Sequence, residues 1–140
     1  MNIKGIIFDK DGTLFDFQRS WGVWGEKFVR ALAENNDSLM KKIAGKLRYN
    51  LLEKKFSRES IFVSGTAKQT AELISSILPQ KSVCEIIKMQ ESLCTKLKQI
   101  PVQNLPLTLK NLKLSGLHLG IVTNDLKIPT ISHLNEEKII

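Results

Sequence analysis

Apolar residues along this chain follow two rhythms, and the switches between them mark out its elements. Residues 3–8, "IKGIIF", end in an unbroken apolar run with two isoleucines. That is the pattern of a strand covered on both faces, as in a parallel sheet. From Phe17 the period lengthens: Phe17, Trp21, Trp24, Phe28 and Leu32 recur at spacings of four, three, four and four, one face of a helix. Glycines at 22 and 25 weaken that helix without forbidding it. Asp37 is placed to cap a second helix with Leu39, Ile43, Leu47 and Leu51 inward. Thr66 is placed to cap a third, carrying Ala67, Ala71, Ile74 and Leu78 inward and stopped by Pro79. A fourth runs from about Ser82 through Ile86, Met89, Leu93 and Leu97 to Pro101.

Beyond Pro101 the texture changes. "LPLTLKNLKLSG" reads as a short helix, with Asn104 near its cap, Pro106 in its first turn and Gly116 ending it. "LHLGIVTND" follows, a second apolar strand over about 118–122. Strand, long helical stretch, helix and strand make an α/β grammar, with a helical module between the first strand and the rest. The expected divisions are 1–15 for the first strand and its loop, 16–103 for the helical module, and 104–140 for the remainder of the sheet unit.

Composition narrows the classes. A 42% hydrophobic share over 140 residues supports a folded core. The net charge of +7 comes from 21 basic against 14 acidic residues. The lysines are scattered, with no aromatic-studded basic stripe, so a solvated surface is expected and no nucleic-acid partner. No run approaches a membrane span, and the short N-terminal apolar stretch leads straight into charge, unlike a signal peptide. Cys84 and Cys94 would stand about 15 Å apart along a helix, too far to bridge, so a reducing cytoplasmic setting is expected. His118 and His133 fit no triad or metal-ligand spacing and read as surface residues.

The chemistry concentrates in "GIIFDKDGTLFD", residues 5–16. Asp9 and Asp11 follow the first strand, at the carboxyl end where open α/β sheets place ligands. Two carboxylates held close repel unless a cation lies between them or one is protonated, and an oxygen-rich site favours Mg²⁺. Gly12 permits a tight turn that exposes amides to an anion, and Thr13 adds a hydroxyl. Such a group suits phosphoryl transfer, with Asp9 attacking phosphorus and a second carboxylate moving the proton. The same residues would also make an ordinary acidic surface turn.

"DKDGTLFD" resembles the first motif of the haloacid dehalogenase superfamily, especially its phosphoglycolate-phosphatase-like branch, and "LHLGIVTND" is similar to that superfamily's second motif. The resemblance implies an incomplete Rossmann-like parallel sheet core with an inserted helical cap domain. It implies hydrolysis of a small phosphorylated metabolite through an aspartyl-phosphate, with Mg²⁺ as cofactor. Asp9 would be the nucleophile and a metal ligand; Asp11 would be the general acid and base, its carbonyl also on the metal. Thr123 and the Asn124 amide would bind the phosphoryl group, and Gly12 and Thr13 would shape the loop. An acid at position 11 points to a phosphatase or a phosphomutase. Arg19, Ser20, Trp21 and Arg48 are possible cap contacts, with structural or surface roles favoured.

The superfamily also uses a lysine and further acids downstream of the second motif. After Asn124 sixteen residues follow, and Glu136, Glu137 and Lys138 are of the right types but lack a preceding apolar strand. Pro129 is expected to break up any helix there. The expectation is therefore the N-terminal part of a phosphatase, weak or inactive as this chain, or a non-catalytic remnant that serves as a binding or interaction protein.

Overall fold

The structure, a computed structural model, describes residues 3–136 and 139. It is a mixed α/β chain whose elements run β1 (Gly5–Asp9), α1 (Phe17–Ala33), α2 (Asp37–Lys46), β2 (Tyr49–Asn50), β3 (Lys55–Phe56), α3 (Ile61–Ser64), α4 (Ala67–Ile77), α5 (Val83–Cys94), α6 (Leu105–Leu114), β4 (His118–Val122) and α7 (Lys127–Glu136). None of its helices is long and apolar enough to cross a membrane.

β1 and β4 pair in parallel, with Gly5 opposite His118 and Asp9 opposite Val122. The alternation along both strands turns Phe8, Leu119 and Ile121 toward a small core of Leu14, Phe15, Leu105, Leu109 and Leu134. The other face of the pair is open, with Ile7 and Val122 exposed. The strands were expected to be buried on both faces; among the described residues α6 and α7 cover one face only.

A second and larger core lies within residues 17–97. The expected face of α1 is buried there, and its aromatics pack ring on ring: Trp24 stacks on Phe28 at 4.7 Å and on Phe62 at 4.8 Å. Asp16 caps α1 by accepting from the Arg19 amide. Thr66 with Gln69, and Ser82 with Glu85, form reciprocal capping boxes at α4 and α5, so each side chain satisfies a backbone amide the helix start would leave open.

Several sequence expectations need correction. Asn36, not Asp37, caps α2; Asp37 is the first helical residue, where its charge still favours the amino end. α2 stops at Lys46 rather than reaching Leu51, because Arg48 takes a left-handed φ of 50° and the chain turns into the β2–β3 hairpin. Tyr49 and Phe56 pair across that hairpin with ring centroids 4.7 Å apart. The glycines of α1 are where it packs: a Cβ on Gly22 would lie 2.1 Å from the Lys54 carbonyl oxygen, and Gly25 faces the Tyr49 and Phe56 rings. α5 ends at Cys94, and its most buried face is Ile86, Gln90 and Cys94, one residue along from the expected face. Pro129 does not break the last helix. It sits in the first turn of α7, where the helix has no use for its missing amide hydrogen.

Candidate functional site

The parallel register brings the two strand ends level, so "DKDGT" and "TND" leave the sheet side by side. After Asp9 the chain turns within three residues. The Leu14 and Phe15 amides donate to the Lys10 carbonyl at 2.9 and 3.2 Å, and the Gly12 amide donates to the Phe15 carbonyl at 2.8 Å. Gly12 accommodates the turn with φ of 88°. Its own N–H is used inside the loop, so Gly12 supplies the bend.

Asp9 lies exposed at the end of β1 and enters no ion pair or side-chain hydrogen bond among the described residues. Asp11 is the opposite case. Its Oδ1 accepts from Trp21 Nε1 at 2.7 Å, Lys10 Nζ at 2.9 Å and Gln99 Nε2 at 3.3 Å, and Lys10 also lies 2.9 Å from Oδ2. Lys10 is fully buried, which only paired charges justify. Its second partner is Asp125, whose Oδ2 is 3.2 Å away but out of hydrogen-bond alignment, so Lys10 serves it by charge. The ammonium also lies 5.7 and 5.5 Å from the ring centroids of Phe15 and Trp21.

Burial pushes the Asp125 carboxyl above its ordinary range, while Lys10 pulls in the other direction. Behind Asp125 stands His133, at 4.0 Å and wholly buried, contrary to its expected surface position. α7 turns it inward beside Gln99 and the end of α5. Its Nε2 lies 2.9 Å from the Cys94 carbonyl, which can only accept, so Nε2 carries the proton. Nδ1 then accepts from Gln99 Nε2 at 3.4 Å. Gln99 spends one amide hydrogen on His133 and the other on Asp11. Burial holds the His133 pKa below its ordinary value.

At the end of β4, Thr123 Oγ1 accepts from the Asp125 amide at 3.1 Å, which leaves the hydroxyl hydrogen able to donate elsewhere. The Asn124 side chain donates to the Gly65 carbonyl at 3.1 Å, tying the second loop to the segment between α3 and α4. Thr13 is exposed beside Gly12. Of the four suggested cap contacts, Trp21 alone reaches the site. Ser20 is buried and accepts from the Ile100 amide, Arg19 is exposed, and Arg48 pairs with Glu59 on the surface. Glu136 ends α7; Glu137 and Lys138 lie outside the described residues.

Between these loops and α1, α3, α4 and α5 lies a cavity of about 80 Å³, open on one side. Asp11, Asn124 and Asp125 line one end of it, and Trp21, Trp24 and Phe62 form much of its wall. Asp9, Gly12 and Thr13 do not line it. Among the described residues no three acids, histidines or cysteines cluster as a metal site. The donors that remain for Mg²⁺ are the free Asp9 carboxylate and the Asp11 carbonyl. Two oxygen donors would suit only an ion that keeps most of its waters.

Sequence reasoning missed Lys10 and Gln99 as partners of Asp11, and Asp125 and His133 as the groups behind them. Lys10 carried a signal, since it continues the inward alternation of Ile6 and Phe8. The sequence matches no protein-family model, and it has no significant match among curated proteins.

Proposed function

We propose that this chain is a phosphatase-like protein related to the haloacid dehalogenase superfamily, with a Rossmann-like sheet unit and a helical cap. Its substrate class would be a small phosphorylated metabolite. The observation that carries this reading is the register of β1 and β4, which sets Asp9 opposite Val122 and hence the "DKDGT" and "TND" loops together at the carboxyl ends of parallel strands.

In this mechanism Asp9, free of partners, attacks phosphorus in line, so a carboxylate–phosphorus bond forms as the ester bond breaks. Asp11 gives a proton to the departing oxygen. Its Oδ1 accepts from three donors, so the proton would move at Oδ2, which Lys10 Nζ also approaches to 2.9 Å. Asp11 then takes a proton from water, whose oxygen attacks phosphorus and releases Asp9 and phosphate. Thr123 donates to a phosphoryl oxygen. Mg²⁺, held by Asp9 and the Asp11 carbonyl, would neutralise charge on the phosphoryl oxygens. Lys10 and Trp21 hold Asp11 in place; both are positioning residues.

The test is turnover of p-nitrophenyl phosphate with Mg²⁺ by the purified chain. Hydrolysis abolished by Asp9→Asn supports the reading, whereas turnover that survives this substitution refutes it. A second reading, a binding protein without turnover, is favoured by the cluster that ties down Asp11. It predicts a chain that binds a ligand in the cavity and hydrolyses no phosphate ester. A phosphomutase is separable by assaying hexose phosphates.

A further inference from the structure

The smaller core, under β1 and β4, is not filled. Phe8, Leu119 and Ile121 pack toward it from the strands, yet each stays only half-buried. Between them, Leu109 of α6, Leu134 of α7 and Ile139 lies a cavity of about 220 Å³, well above the 80 Å³ beside Asp11. Protein interiors are close-packed, so a void of this size forfeits contacts that a guest would restore. Cavities walled by Leu, Ile and Phe offer water few partners and take up apolar guests instead.

The mouth of the cavity adds a charge. Lys113 is exposed and lines it, so the cavity reaches the surface there. Leu109, Lys113 and Ile139 also line a second hollow of about 350 Å³, which therefore adjoins the first. Lys110 and Leu114, the latter 76% exposed, stand on this outer hollow. Helix positions three apart are neighbours, so Lys110 and Lys113 set two ammoniums side by side over apolar surface. Neither enters an ion pair among the described residues. An apolar interior with paired cations at its mouth matches an amphiphile with one anionic head. A bare anion would leave the cavity empty, and a neutral hydrocarbon would leave the ammoniums unmatched.

We propose that this cavity binds an aliphatic carboxylate of medium length, its chain beneath β1 and β4 and its head on Lys110 and Lys113. Asp9, Asp11 and Thr123 line neither hollow, so the proposal goes beyond the phosphatase reading and either can fail alone.

The full chain is titrated by calorimetry with octanoate, with butyrate and with 1-octanol, which keeps the chain but lacks the charge. Each methylene taken from water tightens binding about fourfold, so octanoate should bind at least about fiftyfold tighter than butyrate. The ammoniums should favour octanoate over 1-octanol by about fivefold. The double variant Lys110→Gln, Lys113→Gln alters exposed positions only, and circular dichroism checks its folding. It should erase the preference over 1-octanol and keep the dependence on chain length. In methyl NMR spectra of the unaltered chain, octanoate should shift Leu109, Leu119 and Ile121. No saturable binding of octanoate, equal affinity for octanoate and butyrate or for octanoate and 1-octanol, a charge preference that persists in the double variant, or unshifted methyls would each overturn the proposal.

Discussion

Replacing Lys10 with methionine keeps most of the buried volume and removes one charge. The ammonium lies 2.9 Å from Asp11 Oδ2 and 3.2 Å from Asp125 Oδ2. At an effective dielectric constant of about 20, each pair attracts by roughly 5 kcal/mol before desolvation. Stripping one partner from a buried pair costs about 3–5 kcal/mol, since the other charge stays behind. The lower end applies here, because Asp11 keeps its bonds from Trp21 and Gln99. A loss of about 3 kcal/mol at neutral pH is expected. At a denaturant slope of about 2 kcal/mol/M, the urea midpoint, read by fluorescence, falls by about 1.5 M.

The pH dependence gives this prediction its sign. Burial already holds the Asp125 carboxyl above its ordinary 3.8, and Lys10 opposes that rise. A carboxyl raised in the folded state contributes stability that is complete below its unfolded pKa and lost as pH rises through the folded one. Removing Lys10 widens that gap, so the penalty of Lys10→Met should shrink as pH is lowered from about 8 to about 5. A loss below about 1 kcal/mol, or one that is the same at both pH values, would refute the paired-charge reasoning.

Gly22→Ala, despite gaining helix propensity, should destabilise by about 1–3 kcal/mol in urea unfolding, because its methyl meets the Lys54 carbonyl oxygen at 2.1 Å. A neutral or stabilising result would mean the hairpin does not pack there. His133, its pKa held below the ordinary 6.5 by burial, contributes stability that is present above 6.5 and lost as pH falls through its folded pKa. His133→Gln should therefore lose less stability than the wild type between about pH 7 and 5, and the gap between them should narrow. Asp9→Asn, at an exposed and unpartnered position, should change stability by no more than about 0.5 kcal/mol while removing any phosphatase activity.

The long periodic helices were legible because burial imposes the period. Trp21, Trp24 and Phe28 announce one face of α1, and the caps at Thr66 and Ser82 announce where α4 and α5 begin. The hairpin was not legible, since two-residue strands are too short for alternation to show. It is fixed instead by the packing of Tyr49 and Phe56 on the glycines of α1. Pro129 misled because the same residue breaks a helix interior and suits a first turn. In the site, the adjacency of Asp9 and Thr123 followed from reading two parallel strands. The partners of Asp11 could not be read this way. Gln99, Asp125 and His133 reach Lys10 and Asp11 from separate parts of the chain, and their meeting depends on how the helices pack against the strand ends.

Whether Asp9 is a nucleophile toward phosphorus is tested most directly by trapping. The chain would be incubated with p-nitrophenyl phosphate and Mg²⁺, quenched with borohydride and digested, and the peptide containing "DKDGT" weighed by mass spectrometry. Borohydride reduces an aspartyl-phosphate to homoserine, so the account predicts that conversion at residue 9, dependent on the phosphate ester and not at Asp11. Turnover with residue 9 unmodified, or reduction at a different aspartate, would contradict it.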